Sequence, residues 1–426
     1  MAGKWPIVKV GKLADSISET HQLNKDRLIF LNTSDILLGK ILHRTYTRVQ
    51  DWPGQAKKSI RRDDILFSEI RPANGRWAYV DADADDFVVS TKLMVIRGRK
   101  NEIVPRFLYH FLTSSKTTKW LQHLAESRSG TFPQITFDQV AELDIALPSL
   151  NVQSQIADFL DCIENKMELI RRMNGMLEAV ARTLFKSWFV DFDPVCTKAA
   201  GRDTGLPKPL SNFFPDSFDV SELRRIPKGW RAGCLGDVAA HPRRSMQPFE
   251  INPNTPYIAL EHMPRRCIAL SDWGIADGLG SNKFQFRKNE ILFGKLRPYF
   301  HKVGVAPVDG VCSTDIVVVE PRTEDLFGFV LCCVSSDAFV EYTNAGSTGT
   351  KMPRTSWNEM ARYPLSIPPD RLVKEFGAQV RPAIDRIIAG IHETRTLVGL
   401  RDALLPKLIS GELRVKNAER LMEGVV

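Results

Sequence analysis

Two stretches of the chain carry apolar residues at a spacing that alternates three and four. In the first, from Gln153 to about Trp188, they are Ile156, Leu160, Ile163, Met167, Ile170, Leu177, Ala181, Leu184 and Trp188, with polar Asn174 on the same stripe. This stretch holds no proline and one glycine. From Val380 the pattern returns at Ile384, Ile387, Ile391, Thr394, Val398, Leu405 and Leu408, with Arg401 as the charged exception. A heptad stripe sustained over this length predicts a long helix with one narrow apolar face. At 1.5 Å per residue, about 36 residues make a rod of roughly 54 Å, too long to lie against a single globule. Pairing the two helices as a coiled coil buries both stripes, with Asn174 setting register at some cost in stability. The alternative is that each lies on its own globule as an ordinary amphipathic helix. Pro382 fits only near the start of the second helix, because it lacks an N–H and crowds the preceding turn.

The segments before each helix read differently. Ile65-Leu66-Phe67, Phe87-Val88-Val89 and Leu93 to Ile96 are short runs of strand formers, as are Ile291-Leu292-Phe293 and Ile316 to Val319, with Gly and Pro between them. Helical patches are expected at Arg106 to Ala125 and Gly328 to Tyr342. The halves also repeat one another in order. Trp5 pairs with Trp230, Asp64 to Pro72 (D-I-L-F-S-E-I-R-P) with Glu290 to Pro298 (E-I-L-F-G-K-L-R-P), and Ser90-Thr91 with Ser313-Thr314. Gly130-Thr131 and Pro133 pair with Gly349-Thr350 and Pro353, and Leu147-Pro148 with Ile367-Pro368. The offsets drift slowly, as insertions into a duplicated unit would make them do. The predicted class is α+β: two α/β globules with mixed or antiparallel sheets, joined by two long helices, with internal duplication. The divisions fall at 1–150, 151–190, a connector at 191–229, 230–369 and 370–415.

Composition narrows the function. The 426 residues are 43% hydrophobic and 25% charged, ordinary for a globular protein of two or three domains. No apolar run is long enough for a membrane span, and no secretory signal is expected at the N-terminus. Seven cysteines, an odd number without a Cys-x-x-Cys pair, fit reduced thiols in a cytoplasm better than a disulfide framework or a zinc site. Net charge is +8, the sign that suits a polyanion partner. Residues 1–150 carry 22 basic and 17 acidic side chains, whereas 151–190 balance at five and five.

No phosphate loop, glycine-rich cofactor loop or His-based metal motif is present in the sequence. Asp63-Asp64 with Glu69 is loosely nuclease-like, but the second half puts Lys295 where the first has Glu69. A catalytic carboxylate would not change sign between two copies doing one job. Donor side chains cluster instead at the turns: Arg71, Asn74, Arg76, Lys92, Arg128, Ser129, Thr131 and Gln134 in the first half. The second half offers Lys295, Arg297, Tyr299, His301, Lys302, Ser347, Thr348, Thr350, Lys351 and Arg354. Arg and Lys neutralise phosphates, while Arg, Asn and Gln read base edges. These are the candidate DNA-binding residues. Arg71 and Arg297 are equally open to a structural role, pairing with internal carboxylates.

Several strings are more specific. Leu184 to Val195 (L-F-K-S-W-F-V-D-F-D-P-V), Ile226-Pro227-Lys228-Gly229-Trp230, and Leu404 to Leu413 (L-L-P-K-L-I-S-G-E-L) resemble the specificity subunit of type I restriction–modification systems, a likeness that covers nearly the whole chain. The resemblance implies two target-recognition domains alternating with two helical regions that pack antiparallel, and a pseudo-twofold arrangement of the halves. It implies a non-catalytic subunit that binds a bipartite site in double-stranded DNA. It also implies two recruited modification subunits, which carry the S-adenosylmethionine site, and restriction subunits that join them. One departure is Trp5-Pro6-Ile7, where a Pro-x-Gly-Trp start is common in the family. Recognition domains vary too widely for base-reading residues to be carried over. The competing readings are a solitary DNA methyltransferase or nuclease with duplicated DNA-binding domains, and a coiled-coil scaffold with no DNA role.

Overall fold

The short apolar runs become the inner strands of paired sheets. A computed structural model describes residues 5–54, 56–128, 133–222, 224–349 and 351–423. Its contacts divide into two units, one made of Met1–Lys166 with Leu397–Val426, the other of Met167–Thr396.

In the first unit, Ala14–Ile17, Leu93–Gly98, Ile65–Ser68 and Trp77–Tyr79 form, in that order, an antiparallel sheet in which Leu66 faces Val95 and Ala78. A second sheet orders Thr47–Arg48, Arg27–Leu31, Phe87–Ser90 and Ala56–Ser59, with Arg27–Leu31 and Phe87–Ser90 parallel. Ile65–Ser68 and Phe87–Ser90 are buried at every position, which explains why they read as continuous apolar runs rather than alternating ones. Ile29, Leu31, Leu66, Val89 and Val95 share one core.

The second unit repeats this pairing. Ala239–Ala240, Ile316–Pro321, Ile291–Gly294 and Val303–Val305 form the antiparallel sheet in the same order. Its other sheet again contains one parallel pair, Pro256–Ile258 with Gly310–Cys312. Each half of the sequence ties its first strand to the strand just before a long helix: Ile7 opposite Ala146, and Arg231 opposite Ile367.

Each expected helical patch is two helices. Pro105–Thr113 is followed by Ser115–Arg128, and Phe327–Val334 by Asp337–Ala345. The breaks fall at serines. Ser114 Oγ accepts the Thr117 N–H at 3.2 Å and Ser336 Oγ accepts that of Phe339 at 3.2 Å, both acting as N-caps.

The long helices are Leu150–Phe189, 40 residues, and Asp370–Ser410, 41 residues, about 60 Å each. Pro382 lies well inside the second, which corrects the expectation that it fits only near the start. Its ring faces solvent, so the ring crowds nothing in the core and the freed carbonyl one turn back can be hydrated. The stripe also departs from strict heptads. Leu177, Leu184 and Val398 are only half-buried, while Glu178, Phe185 and Leu397 are buried in their place. A straight helix turns once per 3.6 residues, so a 3.5-residue stripe drifts off the buried face. Within the second unit, Ala181, Phe185 and Trp188 share a core with Ile384, Ile387 and Ile391. A Cβ built on Gly390 would lie 2.9 Å from both Asn174 Oδ1 and Ile170 Cγ2, so the two backbones approach closely there.

The connector is folded. Asp193–Ala199 and Lys208–Ser211 are helical, Phe218–Ser221 pairs with Arg224–Pro227, and Phe214 packs edge-on against Trp188. Among the described residues no single helix is long and apolar enough to cross a membrane.

Candidate nucleic-acid interface

Both units build one frame from three loops. In the first, the Glu69 N–H donates to the Lys92 carbonyl (3.2 Å), the Ile135 N–H to the Glu69 carbonyl (2.9 Å), and the Arg71 N–H to the Pro133 carbonyl (3.0 Å). In the second, the Lys295 N–H donates to the Asp315 carbonyl (2.9 Å), the Thr355 N–H to the Lys295 carbonyl (3.0 Å), and the Arg297 N–H to the Pro353 carbonyl (2.7 Å). Isolated bridges join Ile70 to Gln134 and Leu296 to Arg354. Arg71 and Arg297 are both left-handed, at φ +46° and +52°, and each opens a single 3₁₀ turn beginning with proline. The shared Arg-Pro thus marks a sharp turn that the loop bonds hold in an unfavourable conformation.

The frame sorts the candidate residues. Arg71, Asn74 and Gln134 are exposed, and Lys92 is half-buried beside them. Arg76 is held inward, its Nη1 donating to the carbonyls of Ser34 and Ile36 at 3.0 Å each. Ser129, Thr131, Thr350 and the side chain of Arg128 lie outside the described residues. In the second unit Tyr299 is half-exposed and stacks edge-on with Phe300, and the Arg297 guanidinium lies 5.9 Å from the Phe300 ring. Thr348 and Arg354 exchange backbone hydrogen bonds at 3.1 and 2.9 Å, which brings exposed Lys351 to the turn between them. Ser347 Oγ donates to the Asn344 carbonyl at 2.6 Å. Arg354 Nη2 lies 3.0 Å from Asp315 Oδ1. Lys295 is half-buried; burial lowers its pKa, Asp315 opposes this, and Arg354 and Arg243 reinforce it.

His301 is a correction. It is 2% exposed, and Nε2 donates to the Ser335 carbonyl at 2.9 Å, with Nδ1 3.3 Å from Asp337. Burial lowers its pKa. A histidine so enclosed holds the turn and cannot reach a duplex. Lys302 is likewise turned inward, donating to the Leu260 carbonyl. Arg243, left-handed at φ +47° and within electrostatic reach of Lys295, joins the group. The adjacent basic pair Arg243-Arg244 was its signal in the sequence.

The nuclease-like carboxylate has a structural partner. Asp64 is fully buried and accepts Arg97 Nε and Nη2 at 2.7 and 2.8 Å, and the Arg61 N–H at 2.8 Å. Its counterpart Glu290 pairs with Arg244 and accepts the Arg287 N–H at 2.8 Å. Both carboxylates are consumed inside the fold. One group of possible metal ligands occurs among the described residues: His110, Asp161 and Glu164. Arg106 Nε donates to both Asp161 oxygens at 2.7 and 2.8 Å, and His110 Nε2 lies 2.7 Å from Oδ1. The guanidinium fills the position a cation would take.

Comparison with known proteins points to one family. Residues 2–179 match the type I restriction modification DNA specificity domain. The HindI specificity subunit of Haemophilus influenzae is 30% identical, covering 96% of this chain and 99% of that protein. The MjaIX specificity subunit of Methanocaldococcus jannaschii is 27% identical over 75% of this chain and 71% of its own. The crystal structure of a type I restriction–modification S subunit from M. genitalium shares the fold at TM-score 0.53 and 15% identity, covering 95% of this chain and 96% of that one. A match of this extent to the Haemophilus protein settles the family: the chain is a specificity subunit of the type I restriction enzyme family, and not its catalytic part.

Proposed function

We propose that the chain reads a bipartite DNA target, each unit docking its three-loop frame on one half-site. The observation that carries this is the frame itself, built twice with the same backbone bonds and each time presenting exposed Arg, Lys, Asn or Gln at its rim. Because those side chains differ between the copies, the half-sites differ. The two long helices act as an antiparallel coiled-coil spacer in a pseudo-twofold arrangement, and the five divisions at 150, 190, 229 and 369 mark reader, helix, connector, reader and helix. One turn of B-DNA is roughly 34 Å, so a spacer of about 60 Å leaves unread base pairs between the half-sites.

The helices also offer a docking surface. On the first, Leu169, Met176 and Val180 are 65%, 62% and 64% exposed, an apolar stripe apart from the buried one. We assign it to modification subunits, which would bring S-adenosylmethionine and the methyl transfer, with restriction subunits joining in the cytoplasm.

Two measurements test this. The chain assembled with modification subunits should bind duplex DNA with a steep salt dependence, and the methylated sites should be bipartite. One extra heptad in both helices lengthens the spacer by about 10 Å and should widen the unread gap by about three base pairs. An unchanged gap would overturn the spacer role.

A further inference from the structure

We infer that Gln134 and Arg354 are base-reading residues at matched positions, Gln134 for adenine in one half-site and Arg354 for guanine in the other. This rests on the DNA reading proposed above and goes further, because it assigns a base to each unit.

The match is structural. Gln134 bridges to Ile70 as Arg354 bridges to Leu296, and the bonds from Glu69 and Lys295 fix both on the same frame. Both side chains are exposed at the rim. Arginine presents two parallel N–H donors to guanine O6 and N7, while glutamine presents one donor and one acceptor to adenine N7 and N6.

The neighbours differ to suit. Asp315, whose carbonyl accepts the Lys295 N–H, also holds Arg354 Nη2 at 3.0 Å, while Nε and Nη1 have no partner among the described residues and can face a base. The matched residue beside Gln134 is Lys92, whose carbonyl accepts the Glu69 N–H. A lysine there cannot hold an arginine, but it leaves a neutral amide free to choose its orientation. The pairing also argues against a phosphate role for Arg354. A phosphate contact draws on net charge, which Asp315 cancels, whereas a base contact draws on a fixed orientation, which Asp315 supplies.

The test uses the full chain assembled with its modification subunits and selects bound duplexes from a randomised pool. Arg354→Gln with Asp315→Lys should move one base pair of one half-site from guanine towards adenine. Gln134→Arg with Lys92→Asp should make the reverse change in the other half-site. Each change should be about 5- to 150-fold in preference, with all other positions unaltered. A preferred sequence unchanged at every position, or uniform weakening across all sequences, would overturn the assignment while leaving DNA reading intact. A wild-type complex with no sequence preference would sink both. Arg354→Lys keeps the charge and removes the fork, so it covers the case in which a double variant does not fold. It should lower the guanine preference at that same base pair, and an unaltered preference counts against the assignment.

Discussion

In the unit ending at Lys166, the first long helix grips its domain through charge. Asp161 takes Arg106 and His110, and the Arg106 guanidinium lies over the rings of Tyr79 and Tyr109 at 4.6 and 4.7 Å. Beside this cluster is a cavity of about 210 Å³ lined in part by His110, Lys116, Glu164 and Arg401. In the other unit the same helix is held by rings. Phe189 meets Phe329 and Phe376 edge-on with centroids 5.0 and 4.9 Å apart, and Trp188 meets Phe214 and Phe376 at 5.2 and 5.7 Å. Glu178 adds one polar tie, accepting the Ile268 N–H at 3.1 Å. One topology is thus fastened by two chemistries. The polar fastening depends on ionisation, and the aromatic one depends on packing and buried area.

The largest effect should come from the aromatic side. Trp188→Ala removes a buried ring and should cost about 3–5 kcal/mol, read as faster hydrogen exchange of amides between Met167 and Thr396. Asp161→Asn should cost about 1.5–3 kcal/mol, confined to amides of the other unit. His110 and Arg106 outweigh the effect of burial and hold the Asp161 carboxyl below its ordinary 3.8. Its contribution is therefore complete above that pH and fades as pH falls through the lower folded value, so wild type and Asp161→Asn should converge in strong acid. Gly390→Ala drives a methyl against Ile170 and Asn174 and should cost about 1–3 kcal/mol; an unchanged melting temperature would show that the helices part easily there. The smallest effect is at His301, whose pKa burial lowers. Stability should decline as pH falls below 6.5, the unfolded value, and His301→Asn should flatten that slope in a thermal melt followed across pH.

The helices were legible because a stripe of apolar residues has one physical cause. Asn174 is buried with the stripe, and its Oδ1, unpartnered among the described residues, carries the cost of an unsatisfied polar atom. The swap of Leu177 and Leu184 for Glu178 and Phe185 was not legible, since whether the buried face follows 3.5 or 3.6 residues per turn is settled by what the helix packs against. Strand runs such as Ile65 to Phe67 were visible, but the parallel pair formed by Arg27–Leu31 and Phe87–Ser90 joins segments about sixty residues apart, which no local pattern encodes. The candidate site divided along the same line. Turns rich in donors marked loops that the fold brings together, yet only the fold could separate exposed Arg71 from His301, which points into the protein.

Arg71 and Arg297 occupy a backbone conformation that ordinarily favours glycine, and each frame is written in peptide N–H and carbonyl groups. Every residue but proline offers both groups. On the DNA reading proposed above, a lineage would rewrite which sequence it recognises by point changes at the rim, one half-site at a time, without passing through a misfolded ancestor.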